Sequence, residues 1–309
     1  MALPSRQAPL FCADCFRGTL RGDVEPQGTE EIVYGLPTYV THPEPGREPL
    51  GVVVVMPDMF GWKLHNTRAL ADAYARRIPA VVLLPELMNG YALPESVLAV
   101  SDKLLAEKSW WYKYLVLAPI AAFTMIRHLI PLVVATRAGV VVSRISNYLR
   151  SLRLSPPSTF TRGLMPSTTA AEAARMDLRI GVAGFCWGGK YVVQLMQATS
   201  GPFQDTLADC GFTAHPSFLS LPGDLENVSL PLSVANGDDD VMMPRVRMAQ
   251  AKELLGTKRG CEVVEYPGAK HGFAVRGDPN DQRQADLGMQ AEDQAVRWFR
   301  RWFARNGEA

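Results

Sequence analysis

Cys186 lies at the centre of the run Gly-Phe-Cys-Trp-Gly-Gly at positions 184–189, after an apolar run and before a segment with helical spacing. Glycines two positions before and after a nucleophile allow a sharp turn from strand to helix, because side chains there would collide with neighbouring backbone. The turn would place the sulfur at a helix N-terminus, where partial positive charge favours thiolate. The run predicts a nucleophilic cysteine, with a small buried cysteine in a glycine-rich turn as the alternative.

Two motifs further along the chain supply an acid and a base. An apolar run ends in Asn-Gly-Asp-Asp-Asp at 236–240, and a second is followed by Pro-Gly-Ala-Lys-His-Gly-Phe at 267–273. A neutral imidazole can accept a thiol proton, a carboxylate can orient the imidazole, and nucleophile, acid, histidine is the chain order of α/β-hydrolases. We therefore predict a catalytic triad of Cys186, Asp240 and His271. The other histidines lack this placement: His42, His65, His128 and His215.

The three adjacent carboxylates at 238–240 could instead form a solvated turn or a cation site. Neither a histidine nor a further carboxylate lies at ligand spacing, so no metal is predicted. Cys12 and Cys15 resemble half a zinc site or a redox pair, but without a second cysteine pair or a nearby histidine a structural role is favoured. The predicted chemistry requires no cofactor.

The elements that must position the triad follow from short apolar runs that end in Pro or Gly turn signals. They predict buried strands of a parallel sheet, and the helical spacing between them predicts a doubly wound α/β fold. Helices are expected from Asn66 or Thr67 to Arg77 and from Asp286 to Arg305. The predicted strands are Gly51–Met56, Ala80–Leu84, Leu178–Ala183, Leu230–Ala235 and Cys261–Tyr266.

The connection between the second and third of these strands is about 90 residues long, far more than the roughly 30 to 40 of one crossover helix with its loops. We predict a single domain over 1–309 with a helical cap insertion and loop at about 98–165. The cap, at about 98–150, should bury its aromatic surplus over Cys186, with Trp110 and Trp111 packing inside it or lining a pocket. The stretch 114–143 contains Arg127, His128, Pro131 and Arg137, so no uncharged run reaches membrane-spanning length and no membrane anchor is expected.

Composition restricts the partners and the compartment. The 309-residue chain has 32 Lys plus Arg against 31 Asp plus Glu, so its net charge of +1 provides no bulk field for nucleic acid or an acidic membrane. A small-molecule substrate is expected, with the protein a monomer or homodimer. Five widely spaced cysteines and the absence of a signal-like N-terminus predict a reducing, cytoplasmic location.

The two motifs 184–189 and 267–273 together resemble the dienelactone hydrolase family, especially its fungal-type branch. Further similarity lies at 29–39, at Met-Pro-Asp-Met-Phe-Gly-Trp over 56–62, at Asn-Thr-Arg over 66–68, and in the turn Leu-Pro-Glu at 84–86. The resemblance implies the same triad, an α/β-hydrolase fold with a mostly parallel sheet, and hydrolysis of a carboxylic ester or lactone.

The resemblance also implies roles for residues near the nucleophile. Asp58 matches an acid that gates thiol ionisation, although bacterial members carry Glu there. The backbone N–H groups of Met59 and Trp187 match the two oxyanion-hole donors. Bacterial members bind a substrate carboxylate with an arginine four residues after the histidine. Here Val275 holds that position and Arg276 follows it, so carboxylate recognition does not carry over directly. Candidate substrate-binding residues are Arg276, Phe60, Trp110 and Trp111.

Three functions remain open from the sequence. The first is hydrolysis of an ester, lactone or thioester of a small apolar metabolite through a thioester acyl-enzyme. The second is a pathway enzyme that uses the same triad for product release, cyclisation or rearrangement. The third is a small-molecule binding protein on the hydrolase fold, since a fold alone does not determine function.

Overall fold

A computed structural model describes residues 25–157, 159–160, 178–276 and 281–304 of the protein. Cys12, Cys15 and part of the predicted cap insertion and loop at about 98–165 lie outside these residues. The core is one eight-stranded sheet of order β1-β2-β4-β3-β5-β6-β7-β8. The strands are β1 Thr29–Val33, β2 Leu36–Thr41, β3 Val52–Met56, β4 Val81–Pro85, β5 Ile180–Phe185, β6 Cys210–Ala214, β7 Leu232–Asp239 and β8 Cys261–Lys270.

Parallel pairing extends from β4 through β3, β5, β6 and β7 to β8, while β1 and β2 add an antiparallel edge. Every residue of β3, β4 and β5 is buried, as both faces of a central parallel sheet are covered by helices. The predicted α/β-hydrolase fold with its mostly parallel sheet is confirmed. All five predicted strands are present, and β1, β2 and β6 are additional.

Helices cover the sheet in alternation with the strands. They are α1 His65–Arg77, α2 Glu95–Ala106, α3 Trp110–Ala135, α4 Ala138–Leu154, α5 Trp187–Leu195, α6 Gly223–Glu226, α7 Arg245–Gly256 and α8 Gln282–Phe303. Helix α3 includes one π-helical turn at Lys113–Leu117. The predicted cap of α1 is wrong: the helix begins at His65, its N-cap position is Leu64, and Asn66 and Thr67 are buried within it. Helix α8 starts earlier than predicted, with Asp281 accepting a hydrogen bond from the Gln284 N–H.

The insertion between β4 and β5 contains α2, α3 and α4, and two of these helices differ sharply in burial. Helix α4 buries one face against the body of the protein, whereas only Leu132 of the last 18 residues of α3 is buried. The expectation that the insertion buries its aromatic surplus is therefore wrong for α3, because that helix contacts the protein along one narrow face. Trp110 and Trp111 are 70% and 53% exposed. That the insertion covers Cys186 stays a prediction.

Length and composition would allow α3 to cross a membrane, which no other helix of the described residues would. Of its most apolar 18-residue stretch only 6% is buried. The sequence argument against a membrane span relied on the interruptions at Arg127, His128, Pro131 and Arg137. These residues do not prevent α3 from being apolar over most of its length.

Candidate active site

Cys186 occupies a strained turn between β5 and α5. Its φ of 50° and ψ of −112° lie outside the regions that residues with a side chain normally adopt, and it directly precedes the first residue of α5. The Cys186 N–H donates to the Ala214 carbonyl at the end of β6, and the Ser217 N–H donates to the Cys186 carbonyl. These two bonds hold the backbone in the strained conformation, with the thiol fully buried.

Glycines on both sides of the cysteine permit close backbone approach, as their spacing predicts. A Cβ on Gly188 would lie 2.2 Å from the Met56 carbonyl oxygen at the end of β3. A Cβ on Gly184 would lie 2.6 Å from a methyl group of Val192 in α5. Both distances are shorter than any carbon contact allows, so the turn requires glycine at these two positions.

His271 and Asp240 form a buried pair beside the nucleophile. The His271 Nδ1–H donates to Asp240, with distances of 2.9 Å to Oδ2 and 3.0 Å to Oδ1. Asp240 directly follows β7, and its Oδ1 also accepts the backbone N–H groups of Met242 at 2.8 Å and Met243 at 3.2 Å. These bonds orient the carboxylate toward the imidazole and leave Nε2 facing the thiol side.

Ser217 connects the histidine and the cysteine. Its Oγ lies 3.3 Å from Cys186 Sγ and 3.4 Å from His271 Nε2, and all three side chains are buried. A hydroxyl can donate and accept at once, so Ser217 can relay a proton between sulfur and imidazole or hold them at a fixed separation. The structure therefore brings Cys186, His271 and Asp240 together and adds a hydroxyl that the sequence analysis did not identify.

The charge on His271 reflects its two neighbours. Burial alone would lower the pKa of His271, but the Asp240 carboxylate and the nearby Cys186 raise it, and the net pKa lies well above the ordinary value for histidine. Asp240 and Cys186 therefore favour the protonated form of the imidazole. A protonated imidazole beside a thiol is the arrangement that stabilises a thiolate.

Asp58 lies in the loop after β3, where the Gly188 N–H donates to the carbonyl of Pro57 and ties that loop to the start of α5. The carboxylate is fully buried, accepts the Phe60 N–H at 3.0 Å and lies 3.5 Å from Nε of Arg276. Burial raises the pKa of Asp58, Cys186 raises it further, and Arg276 opposes both effects. Asp58 thus lies within electrostatic range of the nucleophile.

Arg276 was a candidate for contact with substrate, and the structure places it inside the protein. Its guanidinium carbon lies 5.0 Å from the centre of the buried Phe60 ring, and its Nε faces Asp58. The arginine therefore neutralises a buried carboxylate next to the site. Phe60 forms the other side of this contact, whereas Trp110 and Trp111 project into solvent.

His215 is a second histidine at the site that sequence reasoning dismissed. It follows β6, and its ring centre lies 4.9 Å from that of His271, with Phe273 and Phe185 as further ring neighbours. Burial, followed by the positive charges of His271 and Arg276, lowers its pKa well below the ordinary value. The neutral form of His215 is therefore favoured where its ring packs against His271.

A recognisable signal precedes both missed residues. The short run Cys-Gly-Phe-Thr-Ala is followed directly by His215 and, two residues later, by Ser217. Because the carboxyl ends of neighbouring parallel strands meet at one edge, an assignment of β6 as a strand would have brought both to the site. As for metals, no group of three or more potential ligand side chains lies close enough to hold an ion in the described part of the chain.

Comparisons with known proteins identify the family to which the chain belongs. The model of the dienelactone hydrolase family matches residues 146–304, which is more than half of the chain. The chain belongs to the dienelactone hydrolase family. It is a hydrolase of the carboxylic ester or lactone class.

The hydrolase is similar over nearly its whole length to two fungal proteins. It is 27% identical to hydrolase pyvD of Aspergillus violaceofuscus, covering 94% of this chain and 96% of the relative. It is 25% identical to hydrolase tropI of Talaromyces stipitatus, covering 92% and 94%. Among solved structures, a putative dienelactone hydrolase from Klebsiella pneumoniae superposes with a TM-score of 0.55 at 16% identity, covering 88% of this chain and 97% of that one. At that identity the superposition shows the shared fold.

Proposed function

We propose that this hydrolase cleaves an ester, lactone or thioester of a small apolar metabolite through a thioester acyl-enzyme on Cys186. The observation that carries the proposal is the bond of 2.9 Å between His271 and Asp240, next to a cysteine on a strained turn. These features match a nucleophile, a base and an orienting acid.

In the proposed reaction, the Cys186 thiolate attacks the substrate carbonyl carbon while His271 holds the proton that left the sulfur. The backbone N–H groups of Met59 and Trp187 stabilise the oxyanion. When the tetrahedral intermediate collapses, the carbonyl re-forms, the bond to the leaving oxygen or sulfur breaks, and His271 protonates the leaving group. Water then attacks the thioester with His271 as base, which releases the acid and regenerates the thiol.

Two observations support Cys186 as the nucleophile among the described cysteines. Cys186, Cys210 and Cys261 are free cysteines, as a thiol nucleophile and the proposed cytoplasmic compartment require. Cys210 is fully buried and burial raises its pKa well above the ordinary value, so it is a poor competitor for electrophiles.

Mass spectrometry of the trapped enzyme tests the proposal. Incubation with a small activated ester, followed by rapid acid quench, should place one acyl group on Cys186. Cys186→Ala should abolish hydrolysis, and Cys186→Ser should retain only a small fraction, because a hydroxyl is a poorer nucleophile in a site arranged for a thiol. A label on Cys210 or Cys261 with Cys186 unmodified, or full activity in Cys186→Ala, would contradict the mechanism.

Isotope labelling in the same experiment separates hydrolysis from cyclisation. A single turnover in water enriched in oxygen-18 should yield an acid that carries one labelled oxygen. An unlabelled cyclic or rearranged product would favour the pathway enzyme that uses the same triad for ring closure. Absence of both acylation and turnover across esters, lactones and thioesters of graded size would favour a binding protein.

A further inference from the structure

Helix α3 presents a continuous apolar face to solvent. Leu115 and Phe123 are each 69% exposed, and the other large side chains of this face recur at helical spacing. We call this set the outer face of α3; it consists of Trp111, Leu115, Phe123, Ile126, Ile130, Val133 and Val134. The opposite side of the helix carries Met125, Leu129 and Leu132, which pack on the core of the protein. A monomeric protein rarely exposes an apolar stripe of this length without a partner for it.

The topology of the sheet excludes a transmembrane orientation for α3. Strands β3 and β4 precede the helix in the chain, β5 follows it, and β3 is hydrogen-bonded to both. If α3 crossed a bilayer once, β4 and β5 would lie on opposite sides and the sheet could not form. The helix, about 39 Å long at 1.5 Å per residue, can therefore contact a membrane only by lying along its surface.

The charges on and near α3 indicate which kind of membrane surface would bind it. From 108 to 154 the sequence contains no Asp or Glu and seven basic residues: Lys108, Lys113, Arg127, Arg137, Arg144, Arg150 and Arg153. Since the whole chain has a net charge of +1, the remaining residues together carry −6. Three of these residues lie on α4 and contact the body of the protein: Arg150 and Arg153 pair with Asp205 and Asp209, and Arg144 donates to the Leu87 carbonyl. Lys108, Lys113, Arg127 and Arg137 lie on or next to α3, and no acidic residue occurs from 108 to 137. Basic residues beside an apolar face are typical of in-plane helices on anionic lipid.

Four aromatic side chains mark the beginning of the helix. Trp110, Trp111, Tyr112 and Tyr114 are all exposed. Rings with one polar atom prefer the boundary between headgroups and acyl chains, because they bury carbon there and keep their N–H or O–H hydrated. We propose that α3 docks the hydrolase in the plane of an anionic lipid surface, with its outer face at this boundary. The inference reverses the sequence-based expectation of no membrane partner and does not depend on the proposed reaction.

Flotation of the full chain with vesicles tests the proposal. The probes are vesicles of phosphatidylcholine alone and of phosphatidylcholine with one third phosphatidylserine. Wild-type protein should float with the anionic vesicles, more weakly with the neutral ones, and less as salt is raised. The triple variant Leu115→Ser, Phe123→Ser, Ile126→Ser should bind at least about tenfold more weakly, since in-plane affinity scales with buried apolar area.

A matched variant controls for the loss of exposed apolar residues elsewhere. Ile32→Ser, Val246→Ser, Met289→Ser changes side chains that are 71%, 83% and 53% exposed on other elements. It should bind vesicles as the wild type does, and both triple variants should hydrolyse a water-soluble ester at the wild-type rate. Equal loss of binding in the two variants, or no flotation of the wild type with anionic vesicles, would overturn the proposal.

A second copy of the chain is the other possible occupant of the outer face. Sedimentation velocity distinguishes it: if the wild type is a dimer that the α3 variant converts to a monomer, and no vesicle binding occurs, the face is a dimer interface.

Quenching of tryptophan fluorescence by brominated lipid gives an independent readout of how deeply α3 enters the membrane. Trp62, Trp187 and Trp298 are buried, and Trp302 is partly buried against the core on α8. Quenching by brominated acyl chains should therefore come mainly from Trp110 and Trp111 and be largely lost in Trp110→Phe, Trp111→Phe. Undiminished quenching in that variant would contradict docking through α3.

Discussion

The carboxyl edge of the sheet and helix α3 depart from the usual distribution of polarity in opposite directions. At the edge, ionisable side chains are buried: Asp58, Asp240, His271 and Arg276. Along α3, large apolar side chains face solvent instead. Burying a charge is costly unless it is paired, and here His271 is paired with Asp240 while Arg276 faces Asp58. Exposing the apolar side chains of α3 to water is also costly, and that cost is removed only when an apolar surface covers them. The first region is thus suited to chemistry and the second to attachment.

The largest effect should come from breaking the pair formed by His271 and Asp240. Asp240→Asn should lower kcat by about 10³- to 10⁴-fold, because the amide can no longer orient and stabilise a protonated imidazole. Steady-state hydrolysis of an activated ester measures the loss. The substitution should leave acylation still directed to Cys186, although much slower.

The two neighbouring aspartates provide matched controls. Asp239 is exposed, and Asp238 accepts the Gly268 N–H at 2.6 Å and pairs with Arg245. Asp239→Asn should leave kcat unchanged, and Asp238→Asn should reduce it by less than about tenfold through a looser loop. A loss in Asp238→Asn equal to that in Asp240→Asn would show that the orienting acid has been assigned to the wrong residue.

An intermediate effect should distinguish the two sides of α3 itself. Leu132→Ala removes a buried side chain and should lower the free energy of unfolding by about 2 to 4 kcal/mol. Ile130→Ala, two residues earlier on the exposed side, should change it by less than about 0.5 kcal/mol. Urea unfolding in the absence of lipid measures both. Equal destabilisation would mean that the outer face is already covered in solution, which would remove the contrast between the two regions.

The contrast also explains what could be predicted from the sequence. Glycine spacing around Cys186 has a local steric cause, so the strained turn and its strand could be predicted from six residues. Asp240 and His271 could be predicted as site residues because each directly follows a strand in the sequence. Ser217 and His215 were missed because β6 is a short run with a glycine and a threonine, too weak a pattern to be recognised as a strand.

The exposure of α3 could not be predicted for a different reason. Apolar content shows that a segment avoids water and does not show which partner it packs against, since a core helix and a surface-bound helix share that composition. Which side of α3 packs depends on its contact with α2 and the core, and only the folded chain reveals it. The buried position of Arg276 could not be predicted either, because its pairing with Asp58 joins residues that are far apart in the sequence.

The smallest of the expected effects concerns the influence of Asp58 on the ionisation of Cys186. Asp58 is buried with a raised pKa, so it is neutral at low pH and becomes a carboxylate as the pH rises through that value. The carboxylate then repels negative charge on Cys186 and opposes thiolate formation. Asp58→Asn removes this repulsion and leaves the positive charge of Arg276 nearby, and both changes favour thiolate.

We therefore expect Asp58→Asn to move the pH midpoint of Cys186 alkylation by iodoacetamide to lower pH by roughly one unit, equivalent to about 1.4 kcal/mol. The rate of alkylation is followed by mass spectrometry of the Cys186 peptide across a pH series, with circular dichroism to establish that the fold is retained. Asp239→Asn, which alters an exposed carboxylate, should leave the midpoint unchanged. A shift to higher pH would mean that Asp58 supports the thiolate, as a carboxylate does when its main effect is to hold a neighbouring cation in place. An unchanged midpoint would show that Arg276 already neutralises Asp58 completely, and the acid would then be a structural partner of the arginine with no gating role.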